Sequence, residues 1–128
     1  MFVTLFALLL ASSSPHRTLL RRGRVRYALT ETTQVHHIIP RELRYHPVCV
    51  DLQMDAGINV MLLPNKLGKN QIHTNRPCHE GGHPNYNLYT KSRLDLMFKE
   101  TPAKLFSIRL RELQTDLRRL IRTSDVPW

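Results

Sequence analysis

The stretch Val35-His36-His37-Ile38-Ile39-Pro40 decides how this chain is read. Apolar, mostly β-branched residues flank two imidazoles and Pro40 closes the run, which predicts a short strand over 34–39. Side chains alternate along a strand, so His36 and His37 face opposite sides. They hold different jobs only if the strand is bent or borders a site. Two further stretches belong with it. Gly57-Ile58-Asn59-Val60-Met61-Leu62-Leu63-Pro64 predicts a second strand from Ile58 to Leu63, stopped by Pro64. His79-Glu80-Gly81-Gly82-His83-Pro84-Asn85-Tyr86-Asn87 leads into a helix from about Pro84 to Lys99, with Tyr86, Leu94, Met97 and Phe98 as candidate core positions.

Around these lie weaker signals. Residues 42–45 predict one helical turn. Pro47 suits a helix start, with Cys49, Leu52 and Met54 inward and Gly57 closing it. Residues 65–82 read as loop. Thr101-Pro102 predicts an N-cap and first turn, after which Phe106, Leu110, Leu113, Leu117, Leu120 and Ile121 form the apolar stripe of an amphipathic helix. Three segments result: an apolar N-terminal stretch and Arg-rich connector (1–33), a core (34–100) and a basic amphipathic helix (101–128).

With 128 residues the chain has room for one domain, and its formal charge is +9 with Arg far in excess of Lys. Residues 1–34 hold five Arg against one Glu, and residues 102–128 six basic side chains against three acidic ones. The middle block is nearly neutral and carries six of the seven His. That excludes a Rossmann dehydrogenase or a multidomain enzyme and favours a polyanionic partner, since Arg forks onto phosphate oxygens. The apolar run Phe2–Ala11 is too short to span a bilayer as a helix, so no stable transmembrane span is expected. It has the length of a signal-peptide core, although no Lys or Arg precedes it. Secretion and an intracellular location both remain open.

Two adjacent His, an Asn before an apolar strand, then His-x3-His opening a helix form a specific order. Phosphodiester hydrolysis needs a base with a near-neutral pKa to activate water, and His supplies it. It also needs a cation on the scissile phosphate, held by few ligands so that a position stays open. The three stretches, read as "HHIIP", "GIN…LP" and "HxGxHPxYN", resemble the AHH family of the HNH/endonuclease VII superfamily of ββα-metal nucleases. That family is known from bacterial toxin modules, and the resemblance covers residues 34–98. It implies an α+β fold: a small ββα-metal core, here with added C-terminal amphipathic helices. Carried over, His36 becomes a metal ligand, His37 the general base, and Asn59 a residue that orients the base or completes the metal shell. His83 becomes a metal ligand, with His79 as a second choice, and Tyr86 faces the site or packs beneath it. Val35 stands where the family name expects Ala.

The resemblance implies a metal-dependent endonuclease of low sequence specificity, with DNA ahead of RNA as substrate and Mg, Mn or Zn as the divalent ion. A protein inhibitor or immunity partner is compatible with it. Arg111, Arg118 and Arg122 share one helix face, and with Arg41 they are candidate phosphate contacts; a solvated charged face is the plainer reading. His46 and His73 read as solvated. Cys49 and Cys78 lack zinc-finger spacing, yet they could form a disulfide in a secreted chain or join His79 and His83 around a structural zinc. That last arrangement is the main rival: a non-catalytic, zinc-stabilised nucleic-acid-binding module.

Overall fold

The structure is a computed structural model describing residues 32–71 and 74–128. The apolar N-terminal run, His16, the arginines at 21, 22, 24 and 26, and His73 lie outside the described residues. Two strands, β1 (Thr33–His37) and β2 (Val60–Pro64), pair antiparallel, with His36 opposite Met61 and His37 opposite Val60. Three helices follow: α1 (Lys66–Gln71), α2 (Pro84–Glu100) and α3 (Phe106–Arg122). The fold is α+β, a two-stranded sheet with helices. Among the described residues no helix is long and apolar enough to cross a membrane.

A two-stranded ribbon is marginal by itself and needs an apolar cover. Met61 and Leu63 of β2 share one core with Ile38, Ile39, Val48, Tyr86 and Leu94. The α3 stripe Leu110, Leu113, Leu117 and Ile121 completes that same core, so α3 packs on the strands and α2 rather than apart from them. Phe98, a candidate core position, is instead half exposed, 52%, beside Phe106.

The outer edge of β2 is closed by two side chains and one backbone amide. Ile38 N–H donates to Asn59 O, so the residues of β2 facing away from β1 are Val60, Leu62 and Pro64. Their carbonyls accept from the Arg118 guanidinium (2.9 Å), the Arg76 guanidinium (3.0 Å) and the His79 amide (2.8 Å). Unpaired strand edges invite association with other chains, and here each outward carbonyl is occupied. Arg118 also reaches Gly57 O and Ile58 O and is only 8% exposed. Its assignment to a solvent-facing phosphate stripe is therefore corrected: Arg118 flanks the buried stripe of α3, where the loop before β2 covers it. Burial and the neighbouring Arg122 and Arg118 charges push the Arg76 guanidinium down to about 10.

Several local expectations shift. Pro47–Cys49 makes one 3-10 turn rather than a helix, and Gly57 opens a second turn, Gly57–Asn59, instead of ending a helix. Thr101 closes α2, and a 3-10 turn (Ala103–Leu105) intervenes before α3. The stretch 65–82 contains α1, capped by Asn65 Oδ1 accepting from Gly68 N–H at 2.9 Å. Gly68 is required there, because a Cβ would lie 2.1 Å from Thr32 O. His46 is not solvated. Its Nδ1 accepts from Val48 N–H, so Nε2 donates to Asp95 at 2.8 Å and ties the loop to α2.

Candidate metal centre

Three imidazoles converge: His36 from β1, His79 from the segment after α1, and His83 immediately before α2. One nitrogen from each lies within 4.8 Å of the others. Gly81 makes this convergence possible: its φ of +75° turns the chain between His79 and His83, a conformation costly for residues with a Cβ. Pro84 then starts α2, and the His83 side chain makes no cap bond to the helix. The choice between His79 and His83 dissolves, since both arrive.

Each ring is prepared differently. His79 Nδ1 donates to Gln34 Oε1 at 2.8 Å, and His83 Nδ1 donates to Asn87 Oδ1 at 2.9 Å. Amide oxygens only accept, so Nδ1 is the donor in both rings and Nε2 is the nitrogen left to face a cation. His36 is fully buried and neither of its ring nitrogens has a hydrogen-bond partner. Burial, then the adjacent His79 and His83, holds His36 well below the ordinary imidazole range; burial also drives His79 down to about 4. Neutral imidazoles with free lone pairs are what a cation requires. Buried orphan nitrogens beside two oriented rings fit a divalent ion.

Neither cysteine joins the group: both thiols are free, and burial pushes Cys49 up to about 11. Three imidazole nitrogens without a thiolate resemble a site with open coordination positions more than a closed structural zinc.

Around the trio pack Tyr86 and Trp128. The Tyr86 ring centroid sits 4.9 Å from that of His36, and its hydroxyl donates to Ile38 O. Trp128 lies 5.2 Å from His36 and 4.9 Å from His83.

His37 occupies the opposite face of β1, as alternation requires. Its Nε2 lies 2.8 Å from Asp55 Oδ1, and Arg41 approaches the same carboxylate at 3.8 Å. A bend after β1 still brings the two faces to one opening. A cavity of about 240 Å³ is lined by His37 and Arg41 on one side and by His79, His83 and Asn87 on the other. Val35, where the family name expects Ala, lines it half-buried.

Asn59 neither orients His37 directly nor completes the shell. It is fully buried, its Oδ1 accepting from Ile39 N–H (2.8 Å) and Gln114 Nε2 (3.0 Å). Its Nδ2 donates to Met54 O at 2.9 Å and Ile39 O at 3.3 Å. The amide thus fastens the bend after β1, the loop carrying Asp55 and helix α3 together. Arg111 is exposed on a groove of about 740 Å³ along α3, where Glu112 and Asp116 also lie.

Gln34, Asp55 and Trp128 were not singled out from sequence, and Asn87 stood there only as the last residue of the HxGxHPxYN stretch, without a role. Gln34 lies two residues before His36 on the same strand face, and Asn87 one helical turn beyond His83, so both had a readable spacing. Asp55 and Trp128 had none.

No curated protein and no solved structure matches the chain. A family model described as AHH, a nuclease family of the HNH/ENDO VII superfamily with conserved AHH, matches residues 20–120. That span contains every imidazole of the trio, the paired His of β1 and the strand that Asn59 precedes. The chain belongs to the AHH family of nucleases.

Proposed function

We propose that this protein is a metal-dependent endonuclease with a ββα-metal core, hydrolysing phosphodiester bonds of nucleic acid, DNA ahead of RNA, with little sequence specificity. The observation that carries the reading is the shared cavity: the His37 ring, the Arg41 guanidinium and two metal-competent imidazoles open onto the same space. HNH nucleases generally use a divalent ion, and His36, His79 and His83 would hold it. When bound, the ion would polarise the scissile phosphate and stabilise charge on the leaving oxygen.

The chain's own residues supply the rest. Asp55 accepts the Nε2 proton of His37, which leaves Nδ1 to take the proton of the attacking water. The Asp55 carboxylate then steadies the imidazolium. Arg41, exposed at the cavity mouth, contacts a phosphate oxygen. Arg111 lies farther along α3, where it adds backbone contacts without reading bases. Arg122, half-buried, is a weaker candidate for the same role.

Plasmid nicking by the purified chain with Mg²⁺, Mn²⁺, Zn²⁺ or EDTA tests this, beside His37→Ala prepared identically. Cleavage that requires both a metal and His37 is the expected result. A protein that retards DNA on a gel but never cuts it, and unfolds when chelated, would instead be a zinc-stabilised binding module.

A further inference from the structure

We infer that Trp128 is a positioning residue of the metal centre, holding the His36 ring by packing as hydrogen bonds hold those of His79 and His83. The inference rests on the metal-site reading above and adds a part that lies beyond residues 20–120, the stretch the family model matches.

A ligating imidazole normally gives its second nitrogen to an oxygen, which fixes the ring about its side-chain torsions. Gln34 does this for His79 and Asn87 for His83. His36 has no such oxygen at either nitrogen. What surrounds it is aromatic: Tyr86 at 4.9 Å and Trp128 at 5.2 Å between centroids, within the range of favourable ring pairs. Tyr86 is fixed from below by its bond to Ile38 O. Trp128 is fixed from the other side, because its Nε1 donates at 3.1 Å to the carbonyl of Cys78, the residue before His79. The indole therefore ties the β1 imidazole to the segment that delivers the second one.

Trp128 reaches the remaining rings too, with centroids 4.9 Å from His83 and 6.2 Å from His79. One side chain thus lies beside all three imidazoles, and the His36 ring it packs on is fully buried. Loss of the indole frees that ring to rotate while leaving the three nitrogens present in the sequence.

Trp128 is the chain's single tryptophan, so its emission reports on this wall of the site alone. The test is a Co²⁺ titration of the purified full chain, followed by the visible absorption bands of bound cobalt and by tryptophan emission. The wild type is expected to show both changes with a shared midpoint. Trp128→Ala should weaken cobalt affinity about tenfold or more, as removing other residues that orient ligands does. Trp128→Phe, which keeps a ring against His36, should recover most of that loss. Cobalt bands without quenching, or alanine and phenylalanine variants that bind as the wild type does, overturn the inference and leave the metal centre standing. Absence of cobalt bands in the wild type overturns both. Should the alanine variant not fold, the emission of the wild type and the affinity of the phenylalanine variant decide.

Discussion

His37 Nε2 lies 2.8 Å from Asp55 Oδ1, and since an ionised carboxylate only accepts, Nε2 is the donor of the pair and Nδ1 the nitrogen turned away from it. His37 lines a cavity that two imidazoles of the candidate metal centre, His79 and His83, line as well. The two-residue period of β1 sends His36 into the core and His37 toward solvent.

Removing His37 should abolish the proton transfer and little else. His37→Ala is expected to cut the cleavage rate by about a hundredfold to ten-thousandfold, with circular dichroism and melting near wild type. Asp55→Ala should cost less, about tenfold to a hundredfold in kcat, because the base survives without its orienting carboxylate. Its effect on KM should be small. Cleavage by His37→Ala at the wild-type rate would remove it as the base.

Asn59 is predicted to be felt first in stability. Asn59→Ala strips partners from the buried Ile39 amide and from Gln114, and should cost about 2–4 kcal/mol in urea unfolding. A variant of full stability and no activity would instead return Asn59 to direct participation in the chemistry.

Acid should destabilise the metal-free protein. Buried in the fold, His79 is held down to about 4 and His36 well below 6.5, whereas in the unfolded chain both titrate near 6.5. The unfolded state then binds more protons below pH 6.5, so stability is lost as pH falls through 6.5 toward 4. His79 alone accounts for about 2–3 kcal/mol of that loss. Urea unfolding in EDTA at pH 7 and pH 5 measures it, and a flat profile would mean that these rings are solvated.

The arginines should separate into two classes. Arg118→Ala takes the side-chain donor from Val60 O at the β2 edge and from Ile58 O just before it, and should lower stability by about 2 kcal/mol or more. Arg41→Ala and Arg111→Ala should fold normally but weaken nucleic-acid binding, each lowering the slope of log affinity against log salt by about 1. Equal salt slopes in wild type and Arg41→Ala would exclude a phosphate contact there.

Local pattern was enough to find the strands, α2, α3 and the imidazoles at their ends. β-branched runs stopped by Pro40 and Pro64, the Pro84 helix start and the Leu stripe of α3 each act within a few residues, and the structure follows the strands and α2 to within a residue or two, while α3 begins four residues after Pro102. The short helix α1 was not legible. Its Gly68 and its Asn, Lys and Gln residues have loop-like preferences, and what accompanies the helix is the close approach of Gly68 to Thr32.

The sequence by itself determined the chemistry on offer: paired His on opposite faces of one strand, two more His either side of a glycine turn, and a basic chain suited to phosphate. The tertiary structure decided which groups are available. It spent Asn59 and Arg118 on buried backbone, because carbonyls and amides removed from water must be paired. It brought Asp55 to His37 and Trp128 to His36 across separations of 18 and 92 residues. Such contacts depend on how loops close over a core, and no local pattern records that.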